Sequence, residues 1–473
     1  MIYDSAGARS GRRSLFRTPL LVLALMAGLF GAACDTPDPV SVDEPNRSEQ
    51  AIETPAPAVA PALAIELGEP YCEEGSYPVD GVDVKYQICW PAVWNGRFIA
   101  YGHGYVSEFQ PLDIPQEADS LAEFVGTQGF AFASTSYRTN GLAIREGAED
   151  MAALAEIVRE TASARFPQLT EVPVVLASGA SEGGAIVTLA AETYADVFQG
   201  ALSTCGPTGN FMRQLKYLGD FNVLFNYFFP QVFADGSGGF LVTPADVAPE
   251  IILQIQALGE ETFALQVAAA VTGAVAANPA AAQELLKVAR VAYDPTAAPD
   301  ETGSGLSAIL GLLRYNVLAT NDAIAKLGGS PYDNRWTSYR GSSNDWRLNS
   351  RWAGVERYTG DSGARSVVAQ HYETDGELEM PYVSLHTTGD DIVEFVQQPT
   401  YRLKALFSGS AEEHSALPIF RYGHCEFEEG DLVVGLALLM LKVGASSPAA
   451  LAAAMPSAGA ARTFRELLDR EWK

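Results

Sequence analysis

Residues 172–195 read VPVVLASGASEGGAIVTLAAETYA. The apolar run VPVVLASGA has the length and β-branched content of a buried strand, and SEGGAIVTLAAETYA has the small and apolar residues of a packed helix. Between them, Gly179-Ala180-Ser181-Glu182-Gly183 places glycines two before and two after a serine. Such glycines permit a tight strand-to-helix turn that lifts the hydroxyl clear of a sheet, which makes Ser181 a candidate nucleophile. In a chain with 43 glycines the five-residue pattern alone carries little weight. Its place between a buried strand and a helix start is what gives it meaning.

Working outward, the chain alternates strand-like and helix-like segments. Residues 82–105 are apolar and strand-like, 117–128 helical, 129–138 (GFAFASTSYR) a buried strand and 143–163 helical. After the quoted stretch, FQGALSTCG (198–206) reads as another strand. Near-continuous apolar strands alternating with helices predict an α/β protein with a mostly parallel sheet covered on both faces. Residues 207–365 break the rhythm: they are Ala-rich and helical in pattern, with aromatic residues from Phe221 to Phe229. They are expected to form a helical cap insertion, with the aromatic cluster mainly core and the Gly236-Ser237-Gly238-Gly239 run a loop. The sheet resumes with MPYVSLHTTGDD (380–391) and LPIFRYGHCEF (417–427), followed by a helix near 431–442 and a helical C-terminus.

A serine nucleophile needs a base, and the chain has five histidines. His103 precedes Ser181, His371 precedes the strand PYVSLH, and His386 lies inside it. The order serine–acid–histidine leaves His414 and His424. His424 follows an apolar strand on a short turn, where a base belongs; His414 sits in a Glu-rich stretch and reads as a solvated residue. The orienting carboxylate belongs just beyond PYVSLH, where Asp390 is the choice over Asp391 and, more distantly, Glu394. The carboxylate not used is expected to be exposed on the loop.

The chain has 473 residues and a formal net charge of −27, with Arg supplying most of the positive charge. That surface repels phosphate backbones and argues against a nucleic-acid partner. It suits an acidic secreted protein or one kept soluble in high salt. Residues 1–34 read as an export signal: Arg9, Arg12, Arg13 and Arg17 precede an apolar stretch from Leu20 to Phe30. Arg12-Arg13-Ser14-Leu15-Phe16 also fits a loose twin-arginine pattern. Residues 35–62, rich in Pro, Ala and acidic residues, read as a flexible tether.

Gly31-Ala32-Ala33-Cys34 resembles a bacterial lipoprotein signal, in which Cys34 is lipidated, with Gly31 where an aliphatic residue is usual. A simple cleaved signal is the alternative. Membrane contact is expected only through this anchor, at the cell envelope. Without Cys34, four cysteines remain, an even number that suggests two disulfides in an oxidising compartment. Cys72 and Cys89 bracket a hairpin-like stretch, which leaves Cys205 with Cys425. No spacing resembles a zinc site.

With the motifs in place, the sequence resembles the α/β-hydrolase family over residues 80–206 and 366–445. The match lies in His103-Gly104 after IAYG, the elbow GASEG, the acid loop LHTTGDDIV and the terminal GHCEF. The segment TDGELEMPYVSLHTTGDDIVEF resembles the approach to the acid in secreted bacterial serine esterases. The resemblance implies a core of two parts (63–206 and 366–473), a Ser181–His424–Asp390 triad and no cofactor or metal. It also implies an oxyanion hole from the backbone N–H of Glu182 and that of Tyr105 or Gly104.

Cys425 after the histidine is similar to the tannase and feruloyl-esterase pattern, in which a disulfide joins neighbours of the serine and histidine. This chain departs from it by carrying Ala180 before the serine. A Cys205–Cys425 bridge would still pin the His424 loop beside the site. The activity so implied is hydrolysis of a carboxylic ester, from a small or oligomeric substrate, through an acyl-enzyme. A peptidase or acyltransferase of the same fold and an inactive surface binding protein are the rival readings.

Overall fold

The computed structural model describes residues 64–169, 173–232 and 249–471. The export signal, the tether with Cys34 and the 236–239 glycine run lie outside the described residues.

Eight strands form one sheet. They are β1 (Tyr71–Val79), β2 (Val82–Trp90), β3 (Arg97–Gly102), β4 (Ala131–Thr135), β5 (Val174–Ala180), β6 (Gly200–Thr204), β7 (Tyr382–Gly389) and β8 (His414–Tyr422). Across the sheet their order is 1-2-4-3-5-6-7-8. Only β2 runs against its neighbours, β1 and β4; every pairing from β4 to β8 is parallel. The crossovers between parallel strands carry helices: α1 (Glu117–Thr127), α2 (Ile144–Arg165) and α3 (Glu182–Thr193) in the first half.

Alternation along each strand sends side chains to two cores. In β3, Phe98 and Ala100 join a core with Met151, Leu154 and Val158 of α2 and Ile186 and Val187 of α3. Ile99 and Tyr101 face the other way, into a core with Ala118 and Val125 of α1. All five residues of β4 and of β6 are buried, as the apolar runs require of strands covered on both faces.

Between β6 and β7 lie α4 (Phe211–Phe228), α5 (Pro249–Leu258), α6 (Glu260–Ala277), α7 (Pro279–Ala289), α8 (Gly305–Leu327), α9 (Asp345–Leu348) and α10 (Ser362–His371). Helix α10 runs across position 365. These helices share a third core, in which Phe221, Phe225 and Phe229 are buried with Leu285, Leu312 and Val317. The same core takes in Ile392 and Val393 from the loop after β7, so the inserted helices meet the sheet's rim at the acid loop. The chain ends through α11 (Gln397–Ser408), α12 (Glu429–Lys442), α13 (Pro448–Ala453) and α14 (Ala458–Glu471). Helices α12 and α14 cover the same face as α1, with Leu438, Leu439 and Phe464 buried there.

Among the described residues there are two disulfides. Cys72 and Cys89 are direct partners in the β1–β2 register and are bonded. Cys205, just past β6, is bonded to Cys425, just past β8, across 220 residues of sequence.

Candidate active site

Ser181 stands on the turn between β5 and α3 with φ 57° and ψ −123°, a region that side chains rarely enter. The flanking glycines make this turn possible by close approach. A Cβ on Gly183 would lie 2.0 Å from the Gly102 carbonyl oxygen, and one on Gly179 would lie 2.3 Å from that of Gly183. The Ser181 amide donates to the Thr204 carbonyl at 3.0 Å, which fastens the turn to the end of β6.

The acid loop begins where β7 ends. Asp390 is buried, and its Oδ1 accepts from the amides of Ile392 at 3.0 Å and Val393 at 2.8 Å. The base loop begins where β8 ends. Thr387 donates its hydroxyl to the Gly423 carbonyl at 2.7 Å, and the Gly423 amide donates to the Gly389 carbonyl at 3.1 Å, so the two loops are cross-tied.

These loops bring three residues, 243 positions apart at the extremes, into one hydrogen-bonded chain. His424 Nδ1 lies 2.8 Å from Asp390 Oδ2 and 3.0 Å from Oδ1. His424 Nε2 lies 2.8 Å from Ser181 Oγ. Since the carboxylate only accepts, Nδ1–H donates to Asp390 and Nε2 is left to accept from the serine hydroxyl. Burial alone would raise the Asp390 carboxyl, but the facing charge of His424 and hydrogen bonds from His386 and His424 hold it down at about 2. Burial alone would lower His424; the charge and hydrogen bond of Asp390 raise it instead. The pair is arranged to stabilise a protonated imidazole.

Glu182, Gly104 and Tyr105 flank the serine. Glu182 opens α3, so its amide is among those with no intrahelical carbonyl to bond. A Cβ on Gly104 would lie 3.4 Å from Ser181 Cβ, which puts the Gly104 backbone against Ser181. His103 is buried, stacks on Tyr137 at 4.0 Å and places Nδ1 2.7 Å from the Gly104 carbonyl oxygen. Burial pushes it down to about 4, so it is a neutral support of this turn. The Tyr105 hydroxyl donates to Glu108 at 3.2 Å, and its ring meets Tyr315 of α8 edge to face at 5.7 Å.

His414 differs from expectation, and His386, inside its strand as read, has a partner that the sequence did not assign it. His414 is buried at the start of β8, with Nε2 2.9 Å from Ser384 Oγ, and burial pushes it down to about 3. Its Glu-rich neighbours suggested solvent, but strand pairing with Tyr382 draws it inside. His386 places Nε2 2.9 Å from the Val393 carbonyl oxygen and 3.5 Å from Asp390 Oδ2, a second imidazole against the acid. The only signal for it in the sequence was its position four residues before Asp390. His371 ends α10.

Asp391 also departs from the exposed position expected of it. It is 4% exposed, and burial followed by the charge of Asp390 pushes it up to about 6. The reason is the inserted α4, which packs on the acid loop. Tyr217 donates to the Asp391 carbonyl at 2.7 Å, Gln214 to the Ile392 carbonyl at 2.8 Å, and Arg213 pairs with Glu394 at 2.9 Å.

Helix α8 braces the segment that the Glu182 side chain also holds. Asp322 Oδ2 accepts from the Leu142 amide at 2.7 Å while Glu182 accepts from the next amide, Ala143, at 3.0 Å. Lys326 pairs with Asp322 at 3.0 Å and donates to the Leu142 carbonyl at 3.0 Å. Burial pushes the Glu182 carboxyl up to about 8 against the pull of the Ala143 amide and the Lys326 charge. Cys205, His424 and Cys425 lie close enough to suggest a metal cluster, but both sulfurs are committed to the disulfide.

No family model and no curated protein matches this sequence. Similar solved structures include feruloyl esterase B from Aspergillus oryzae, 15% identical over 75% of this chain and 74% of that one, TM-score 0.41. Another esterase from Aspergillus oryzae is 12% identical over 74% of this chain and 71% of that one, TM-score 0.40. An acylaminoacyl peptidase from Pyrococcus horikoshii is 11% identical over 76% of this chain and 38% of that one, TM-score 0.36. Independently of these likenesses, an eight-stranded sheet in the order 1-2-4-3-5-6-7-8 with β2 alone reversed, a serine elbow after β5, an acid after β7 and a histidine after β8 define an architecture: the chain has the α/β-hydrolase fold.

Proposed function

We propose that the protein is an exported serine hydrolase that cleaves a carboxylic ester through an acyl-enzyme. The observation that carries this reading is the unbroken hydrogen-bonded chain from Ser181 through His424 to Asp390, with the serine held on a turn of positive φ. In this mechanism Ser181 Oγ attacks the ester carbonyl as His424 Nε2 takes its proton, and Asp390 stabilises the imidazolium. The carbonyl oxygen, now negative, is received by the Glu182 amide and by that of Gly104 or Tyr105. Each such donor contributes about 3 kcal/mol to the transition state. His424 then returns its proton to the leaving alcohol. Water, deprotonated by the same imidazole, attacks the acyl-enzyme to release the acid and restore the serine.

The two disulfides support maturation in an oxidising compartment, in agreement with the export signal read in residues 1–34 and an anchor at Cys34. The division into a two-part core and a cap at 207–365 belongs to the same proposal. The test is hydrolysis of short p-nitrophenyl esters, with fluorophosphonate labelling, by the protein and by Ser181→Ala. Both signals are expected to disappear together in the variant, with kcat down by about six orders of magnitude. Labelling without turnover would redirect the reading to an acyltransferase or a peptidase. A folded protein with neither signal would overturn it in favour of a binding protein.

A further inference from the structure

The segment between α8 and α10 displays three tryptophans in 17 positions, Trp336, Trp346 and Trp352, with 87%, 84% and 97% of their surface exposed. Large aromatic side chains are ordinarily placed where at least one face is covered, so three of them exposed within 17 positions of one segment call for a partner. The display does not come from a loose loop. Asn334 donates to the Glu356 carbonyl at 2.8 Å and accepts from the Tyr358 amide at 2.7 Å. Arg357 donates to the Asn334 and Thr337 carbonyls, and Asn349 to the Tyr339 carbonyl at 2.7 Å. Tyr339, Leu348 and Val355 are buried beneath. The segment folds its own polar and apolar groups inward and turns the tryptophans out.

Local charge departs from that of the chain. The whole chain is strongly acidic, yet residues 331–357 hold five arginines against Asp333, Asp345 and Glu356. Each exposed tryptophan has an arginine beside it in sequence. Arg340, Arg347 and Arg351 are exposed, and among the described residues none has a carboxylate within ion-pair distance. Alongside Trp336 runs a groove of about 670 Å³ lined by Lys216, Arg335 and Arg365. Lys216 and Arg335 are paired there with Asp220 and Asp333, while Arg365 donates to the Pro331 carbonyl at 3.1 Å.

We propose that this locally basic segment, an exception on an otherwise acidic chain, docks on anionic phospholipid and so adds a second membrane contact to the one expected at Cys34, with the tryptophans at the depth of the headgroups and the arginines against the phosphates. Tryptophan prefers that interface, and each basic side chain adds attraction to an anionic surface. An acyl chain at Cys34 together with this surface would supply the two signals that stable anchoring takes.

The test uses the full chain carrying Cys34→Ser, with vesicles of phosphatidylcholine with and without phosphatidylglycerol. Acrylamide quenching of tryptophan fluorescence reads the surface directly, whatever the apolar N-terminal segment does. Anionic vesicles are expected to shield and blue-shift the tryptophans, and the triple variant Trp336→Ala, Trp346→Ala, Trp352→Ala to lose that response. Replacing Arg340, Arg347 and Arg351 with Gln is expected to weaken partitioning on the order of a hundredfold. Ester turnover and melting temperature, being set elsewhere, are expected to be unchanged in both. Quenching unaltered by anionic vesicles overturns the proposal. So does retention on a polygalacturonate matrix without any vesicle response, which would assign the surface to a polymer.

Discussion

The rim of the sheet and the inserted helices both shape the surroundings of Ser181, but they do so by different means. At the rim, each chemical group is placed by backbone: an elbow after β5, an acid after β7, a histidine after β8. The inserted helices place no member of the hydrogen-bonded triad. They act on it through braces, with Gln214 and Tyr217 on the carbonyls of the acid loop and Asp322 and Lys326 on the turn beside Glu182. In the proposed mechanism the rim therefore supplies the chemistry and the helices adjust its geometry. Changes at the two should differ in size and in kind.

The largest difference is expected between Asp390 and its neighbours. Asp390→Asn should cost about four orders of magnitude in kcat, since the amide no longer fixes the imidazole tautomer. In the proposed mechanism activity requires neutral His424, so the rate should rise with pH through a pKa that Asp390 raises. In Asp390→Asn the remaining activity should therefore appear at lower pH. Asp391→Asn, and the brace variants Gln214→Ala and Tyr217→Phe, should each stay within about tenfold. Stopped-flow rates across pH on all four variants check this. A brace variant as damaging as Asp390→Asn would break the distinction between rim and helices.

The two disulfides sharpen it from within the sheet. Cys205→Ala with Cys425→Ala frees a loop that carries the base, and it should lose about 2–5 kcal/mol of stability. Its kcat/KM should fall on the order of a hundredfold, as a displacement near 1 Å would cause. Cys72→Ala with Cys89→Ala lies on the β1–β2 edge and should lose about 3 kcal/mol with turnover kept. Paired denaturation and ester kinetics separate the two outcomes. Equal losses of activity in both double variants would mean that the bridge near His424 has no positioning role.

The same contrast explains what could be read from the sequence. The elbow was legible because only glycine tolerates the approach of Gly183 to the Gly102 carbonyl, and the histidine because chain order left few choices. Strands β4 to β7 were legible because burial on both faces leaves runs of apolar and small residues free of charge. The choice of acid rested on adjacent aspartates that local sequence does not rank. Their difference comes from the amides of Ile392 and Val393, which turn Asp390 toward His424. His386 against that acid, the burial of His414, and the clamp from Asp322 on Leu142 depend on contacts formed only when distant segments pack.

Glu182 lies where rim and helices meet, and the smallest effect is expected there. Its backbone amide is the proposed oxyanion donor, while its side chain is buried with a carboxyl pushed up to about 8. Ionisation near that pH places a negative charge beside the site where the ester oxygen becomes negative, so turnover should decline by a few-fold above it. Stability should follow the same group. Folded Glu182 holds its proton to about pH 8, whereas the unfolded carboxyl releases it near 4.5. Stability from this group is thus fully present below about pH 4.5 and is lost as pH rises through about 8. Glu182→Gln keeps an oxygen for the Ala143 amide and removes the titration. Its turnover should then lack the alkaline decline, and its melting temperature should exceed that of the parent at pH 9 but not at pH 5. A parent and variant with the same profile in both measurements would mean that Glu182 is already ionised, held so by Lys326 of the inserted helix, and that the helices reach further into the chemistry than their braces suggest.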